Sequence, residues 1–192
     1  MKIVLSPSKT KTITTVGNDG AVHTAVQDGQ FQPHITQDLV KHVQSLDVAA
    51  LGKALKLKDD KAQALFDFYQ DFESHPVGLA CESYDGIAFK YLNWSNLSDE
   101  AKAFGESHLV VMSALYGIVE PMMGVRDYRL DMVDKVGINL YDTWRETVDA
   151  YFHKEDWILN LASKEYAKMV NHPKVVTVEF WELRGDTFKQ MS

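Results

Sequence analysis

The sequence predicts an α/β protein with a mixed, mainly parallel sheet, flanking helices and a helix–hairpin–helix-like element in its N-terminal half. Three observations carry this expectation. Short apolar runs at Met1–Leu5, His108–Ala114 and Trp157–Leu161 have strand length. The stretches between them hold apolar residues at helical spacing, and strands that alternate with helices build parallel sheets. Three strand ends run into polar clusters, Ser6-Pro7-Ser8-Lys9-Thr10, Ser113-Ala-Leu-Tyr116-Gly117-Ile-Val-Glu120-Pro121 and Asn160-Leu-Ala-Ser163-Lys164-Glu165-Tyr166. Polar groups at the ends of apolar strands are where α/β proteins place their chemistry.

Each element has its own signal. Met1–Leu5 reaches Ser6-Pro7 too soon for the apolar core of a signal peptide, so it reads as the first strand. From about Lys11 to Pro33 the chain is rich in Thr, Gly, Asp and Gln without sustained periodicity, which predicts a loop. Thr36 or Asp38 then caps a helix through Leu39, Val40 and Val43, Asp47 caps one over Val48–Leu55, and Asp59 caps a third. In the third, Ala62, Leu65, Phe66, Tyr69 and Phe72 form one apolar stripe. The pair flanking Lys56-Leu57-Lys58 is a helical hairpin, set in an insertion at about residues 36–73. Val77–Cys81 reads as a short strand, Ser98-Asp99-Glu100 as a helix start with acidic residues at its positive end, and Asn139 or Asp142 as the start of a helix carrying Leu140, Trp144, Val148, Tyr151 and Phe152. Val175–Leu183 is expected to form one long strand, with Arg184-Gly185-Asp186 turning it into Thr187–Met191 as an antiparallel edge near the C-terminus. Residues 1–192 make a single α/β domain in this reading.

Composition narrows the function. No apolar span is long enough to cross a membrane. The single cysteine, Cys81, excludes an intramolecular disulfide, and a reducing cytoplasm is the simplest setting. The net charge of -7 argues against a broad nucleic-acid surface but leaves room for a local basic patch. Lys53, Lys56, Lys58 and Lys61 supply such a cluster. The histidines are scattered and none stands at metal-ligand spacing, so no metal or cofactor is expected. Cys81 stands beside Glu82, whose charge blunts thiol reactivity, and reads as inert.

The polar clusters each admit two readings. Ser6, Ser8, Lys9 and Thr10 form either a polar turn bent by Pro7 or an anion cradle of backbone N–H groups, hydroxyls and an ammonium. It is not a Walker loop, because the glycines are absent. Gly117 permits positive φ and would turn Tyr116 towards a cleft that also holds Ser113 and Glu120. Arg129 either pairs with Asp127 or Asp131 or offers its fork to a phosphate or carboxylate. Ser163 caps the helix that follows, a bond worth about 1 kcal/mol. Lys164 beside a helix N-terminus is electrostatically unfavourable unless an anion sits there, so Asn160, Ser163 and Lys164 join the Ser6 loop as candidates. The lysine cluster reads either as a solvated face or as a grip on a phosphate backbone.

Ser6-Pro-Ser-Lys-Thr, Ser113-Ala-Leu-Tyr-Gly, Tyr128-Arg-Leu-Asp-Met, Asn139-Leu-Tyr and Asn160-Leu-Ala-Ser-Lys-Glu-Tyr, in that order, resemble the YaaA family of peroxide-stress proteins across nearly the whole chain. The resemblance implies a cytoplasmic protein that protects against hydrogen peroxide by lowering available iron and limiting oxidative DNA damage. It also implies an α/β fold with a helix–hairpin–helix-like element, here at Leu51 to Ala62, and a positively charged cleft to which DNA binding is attributed. The family continues past this point with a basic Lys-Lys-Ala-Arg-Gly-like motif and a further helical segment, so this chain, which stops at Ser192, is expected to lack the family's C-terminal segment.

Two functional expectations follow. In the first, Lys53, Lys56, Lys58 and Lys61 contact the phosphates of duplex or junction DNA without sequence preference, and Lys9, Arg129 and Lys164 line the cleft. In the second, the protein is an enzyme acting on a nucleotide or nucleobase, with Tyr116 or Glu120 as acid or base and Arg129 on phosphate. Direct iron binding by Glu82, Asp85, Glu120 and Asp131 is weaker, since no ligand spacing announces it.

Overall fold

A computed structural model of the chain describes residues 1–13 and 31–190. The polar loop expected between Lys11 and Pro33 lies for the most part outside the described residues. Strand β1 (Lys2–Leu5) is followed by helices α1 (Pro33–Gln44), α2 (Val48–Leu55) and α3 (Asp59–Gln70). Next come β2 (Gly78–Leu79), α4 (Ala80–Ser83), α5 (Ile87–Leu92), α6 (Asp99–His108) and β3 (Leu109–Ser113). The chain continues through β4 (Gly117–Val119), β5 (Gly124–Val125), α7 (Leu140–Phe152), β6 (Ile158–Asn160), α8 (Lys164–Ala167), β7 (Val175–Thr177), β8 (Trp181–Arg184) and β9 (Thr187–Gln190).

The central sheet has the order β4-β3-β1-β6-β7. β1 runs parallel to β3 and β6, and β6 runs parallel to β7. β3 and β4 are buried at every position, as in a sheet that helices cover on its faces, whereas β1 is buried only at Val4 and β7 is largely exposed. β4 is the antiparallel edge. It follows β3 through a turn of only three residues, and a connection so short can only reverse the chain. The antiparallel edge therefore lies at β4, whereas the C-terminal hairpin β8-β9 forms its own two-stranded sheet. The expected long strand over Val175–Leu183 is divided into β7 and β8. Only Gly78–Leu79 of the expected Val77–Cys81 strand is extended, and it pairs with β5 outside the central sheet.

Local chemistry explains most helix starts. Asp47 caps α2 by accepting from Ala50 N at 2.7 Å, Ser98 caps α6 through Ala101 N, and Asn139 caps α7 through Tyr141 N. Helix α1 begins earlier than expected, at Pro33, whose fixed φ and missing N–H suit a first helical position. Thr36 is instead buried one turn in and donates to Leu115 O at 3.2 Å. Lys58, not Asp59, takes the N-cap of α3, leaving Asp59 and Asp60 in the first turn against the positive end of the helix. Helices α2 and α3 pack closely through Gly52, where an added Cβ would stand 3.0 Å from the Ala62 Cβ.

Gly117 fixes the turn into β4. Its φ is +71, and a Cβ there would lie 2.5 Å from the Trp144 ring. Trp144 is buried against this turn and donates from Nε1 to Ala114 O at 2.9 Å. Helix α7 is thereby locked onto the β3–β4 hairpin.

Candidate functional site: a cation-lined cleft at the ends of the parallel strands

The loops after β1 and β6 leave the sheet at adjacent strand ends, where the connections diverge to opposite sides of β1. Ligands of open α/β sheets collect at such points. Here the two loops touch. Ser6 Oγ accepts from Ser163 N at 2.8 Å and donates to Ser163 Oγ at 3.1 Å. Ser163 occupies the N-cap of α8, but its side chain makes no cap bond. Asn160 is buried, accepting from Ala162 N at 3.1 Å and donating to Thr177 Oγ1 at 3.4 Å. Together these bonds fix the rim of the crevice.

Beyond Ser6 the chain passes Ser8, whose Oγ accepts from Thr10 N at 3.2 Å. Gly86 lets that hydroxyl come close, since a Cβ there would meet it at 2.8 Å. Thr10 O and Thr12 N then bond to Asp85 N and Ser83 O, pinning the loop beside α4. Lys9 extends outwards and pairs with Asp131 Oδ2 at 3.0 Å. Asp131 is held from its other oxygen by the Tyr166 hydroxyl at 3.2 Å. The neighbouring Asp134 and Glu165 carboxyls are pushed up chiefly by burial, with Asp131 adding like-charge repulsion.

Lys11 turns inwards. Its residue is buried, its Nζ donates to Tyr128 O at 2.7 Å, and the ammonium stands 4.1 Å over the Tyr128 ring centroid. The Tyr84 ring is 5.7 Å away. Burial lowers the Lys11 pKa from 10.5 to about 8; Asp127 and Asp131 oppose the shift and Arg129 adds to it.

Arg129 forms neither expected ion pair among the described residues, because Asp131 is taken by Lys9. Its Nε is buried without a hydrogen-bond partner among the described residues. A donor left in that state costs about 1–3 kcal/mol, so an acceptor arriving there is favoured. Arg129 lines an open cavity of about 340 Å³ with Lys9, Lys61, Phe68, Asp127 and Tyr128. It also lines a narrow recess of about 10 Å³ with Ser8, Lys9, Lys11 and Asp131.

The structure thus sets Lys9 and Arg129 beside Lys61 in the open cavity and beside Ser8 and Lys11 in the recess. Lys53, Lys56 and Lys58 are exposed on α2 and the turn after it, next to α3, which carries Lys61. Lys164 is exposed and, with Ser163, lines a different cavity, of about 470 Å³, against Thr177–Phe180. Ser113 lies beneath the cleft, fully buried. Its Oγ accepts from Leu115 N and Tyr116 N and lies 2.7 Å from the Tyr128 hydroxyl, which in turn meets the Tyr84 hydroxyl at 3.2 Å. Tyr116 points into the core, where its oxygen accepts from Arg126 N at 3.2 Å and burial pushes its pKa up to about 12. Glu120 leaves β4 towards the opposite, N-terminal ends of the parallel strands, where it accepts from the Tyr151 hydroxyl at 2.8 Å and faces Lys2. Tyr116 and Glu120 therefore do not share the cleft with Arg129. Cys81 is buried in α4 with its pKa pushed up to about 12, mainly by burial and then by Glu82. Among the described residues no three His, Cys, Asp or Glu side chains gather as a metal set, and no helix is long and apolar enough to cross a membrane.

Sequence reasoning missed Lys11 and Arg126. Arg126 is a buried clamp, paired with Glu73 at 2.8 Å, donating to His75 O and lying over the Phe72 ring. In a Lys-Thr-Lys-Thr run nothing distinguishes Lys11 from Lys9; the difference is made by Tyr84 and Tyr128, far along the chain.

Fold and site define a class: an α/β protein with a mainly parallel sheet, in which a loop after the first strand and a lysine-bearing helical hairpin border a cation-lined cavity. The family described as peroxide stress protein YaaA matches residues 1–192, and the chain belongs to that family. Among curated relatives, a UPF0246 protein of Finegoldia magna is 33% identical over 170 residues, spanning 88% of this chain and 66% of its own length. A UPF0246 protein of Rickettsia bellii is 32% identical over 165 residues, 80% of this chain and 66% of the relative. One from Rickettsia felis is 28% identical over 195 residues, covering 96% and 77%. The chain thus spans just under two thirds of the length of the first two.

Proposed function

We propose that this protein binds DNA non-specifically during peroxide stress, gripping the phosphate backbone with the cleft and the adjacent helical hairpin, and thereby limits iron-dependent oxidative damage in the cytoplasm. The observation that carries the reading is the convergence of Lys9, Lys61 and Arg129 on one open cavity of about 340 Å³. Lys53, Lys56 and Lys58 are exposed on the same helical hairpin as Lys61 and extend the grip in this reading. The hairpin of α2 and α3 acts in this reading as the helix–hairpin–helix-like element, presenting cations along a ridge rather than in a base-reading groove. Phosphate contacts of this kind give affinity without sequence preference. An acidic protein can work this way because the attraction is local: at physiological salt, charges farther off than about 8 Å are screened.

Fluorescence anisotropy with a short duplex tests the reading. Each phosphate contact contributes a slope of about -0.9 to log K against log salt. Binding is expected to fall steeply as salt rises, and Lys61→Ala and Arg129→Ala are each expected to flatten the slope by about one unit. Binding that ignores salt, or that survives both substitutions unchanged, removes this function.

A second reading, an enzyme acting on a nucleotide or nucleobase, is favoured by the unpartnered Arg129 Nε and the buried Lys11 bordering one recess. Thermal stabilisation by mononucleotides, absent in Arg129→Ala, is its expected signature.

A further inference from the structure

We infer that the Lys11 amine is a covalent centre for an aldehyde borne on a phosphate ester, with Arg129 and Lys9 receiving the phosphate and Lys11 Nζ receiving the carbonyl carbon. This deepens the DNA-binding reading and rests on it for the preferred source of that aldehyde, the ring-opened sugar of an abasic site in duplex DNA.

Three observations meet at this place. Lys11 is buried yet borders the recess of about 10 Å³ that Ser8, Lys9, Arg129 and Asp131 share, so a carbonyl reaches its amine from the cation-lined side once that recess widens. Among the described residues its one hydrogen-bond partner is the Tyr128 carbonyl, and it forms no ion pair, Asp127 and Asp131 acting on it only from farther off. The Tyr128 carbonyl and ring are its close contacts, and they hold a buried charge less firmly than a paired acid does. Arg129 adds the independent sign of a ligand, a buried Nε that no described residue satisfies. A planar fork beside a buried amine suits a phosphate next to an electrophilic carbon. Lys9 is held by Asp131 through an ion pair that is two-thirds exposed on the lysine side, so an arriving phosphate competes for it at little cost.

The chemistry balances without a co-reactant. A neutral Lys11 amine adds its lone pair to the carbonyl carbon, the carbonyl oxygen takes one proton from that nitrogen and one from solvent and leaves as water, and a protonated imine that keeps the other N–H remains. Water reverses the step. The amine is neutral in a useful fraction near pH 8, where burial places its pKa, whereas an exposed lysine at about 10.4 is almost wholly protonated. The Tyr128 carbonyl accepts an amine N–H and leaves the lone pair free to attack.

Reductive trapping tests the inference. The protein is incubated near pH 8 with cyanoborohydride and, in parallel, an abasic-site duplex, an intact duplex, glyceraldehyde 3-phosphate and unphosphorylated glyceraldehyde, and the adduct is mapped by mass spectrometry. The expected result is an adduct at Lys11 with the abasic duplex and with glyceraldehyde 3-phosphate, at least tenfold above unphosphorylated glyceraldehyde. Lys11→Met and Lys11→Arg are expected to lose it, and the exposed-lysine control Lys154→Ala to keep it. Arg129→Ala is expected to abolish the preference for the phosphorylated aldehyde while Lys11 still reacts. Labelling scattered over exposed lysines with Lys11 unmodified, or equal labelling by both glyceraldehydes, overturns the inference. Duplex anisotropy on the same samples separates the two claims. Salt-dependent binding without a Lys11 adduct sinks the covalent centre alone. A phosphate-directed Lys11 adduct with no duplex binding sinks the DNA reading and leaves a centre for small phosphorylated aldehydes.

Discussion

Single residues here answer to close contacts. Gly117 combines a left-handed backbone with the Trp144 ring 2.5 Å from where a Cβ would stand. Gly117→Ala therefore meets both backbone strain and overpacking and is expected to cost about 2–4 kcal/mol, read as a lower urea midpoint at unchanged slope. Lys11 makes a pH-dependent prediction. Its folded pKa is depressed to about 8, chiefly by burial, so between about 8 and 10.5 the unfolded chain holds the proton more tightly than the folded one. Stability then rises with pH across that window, and the cost of burying the charge is fully present below it. Lys11→Met fills similar volume without a charge. Its stability advantage over the parent is expected to be largest near pH 7 and to shrink as pH approaches 10.5, measured by paired urea titrations so that the buried tyrosines, common to both proteins, cancel. A constant difference across that range refutes the depressed amine.

At the scale of elements the helical hairpin is the informative piece. Lys56 closes α2 in the left-handed conformation with φ 54, a position that glycine usually holds because an L side chain is strained there. Lys56→Gly is expected to stabilise the fold by about 1 kcal/mol. The same substitution removes a cation from the hairpin proposed to meet DNA, and it is expected to flatten the salt dependence of duplex binding by about one phosphate contact. One variant that is more stable and binds less well separates the structural from the functional role of the turn; unchanged binding would remove Lys56 from the interface. Legibility was uneven among the elements. Helix α2 was readable to the residue because Asp47 is a strong cap and its apolar face is regular. β2 was not, since the two residues that pair with β5 take their partner from about forty-five positions away. The division of the expected strand over Val175–Leu183 was also hidden, because apolar residues in extended backbone look alike whether or not they share one sheet.

At the scale of the molecule, the cleft is an electrostatic balance. Lys9 answers Asp131, while Asp127 lines the same cavity as Lys61 and Arg129. Asp131→Asn keeps an acceptor for the Tyr166 hydroxyl but frees Lys9. Duplex binding is expected to tighten several-fold at low salt, with a steeper salt slope, and anisotropy checks it. The sequence by itself determined the α/β class, the parallel core of short apolar strands, the cap-defined helices and the family, since each depends on neighbouring residues or on ordered motifs. It also marked Lys9, Lys61 and Arg129 as chemically able. Only the tertiary structure decided which able groups meet: it joined Ser6 to Ser163, set Arg129 beside Lys61, sent Tyr116 into the core and Glu120 to the far end of the strands, and buried Lys11 between two distant tyrosine rings. The physical reason is that burial and desolvation depend on side chains distant in sequence, and these set how readily a lysine gives up its proton.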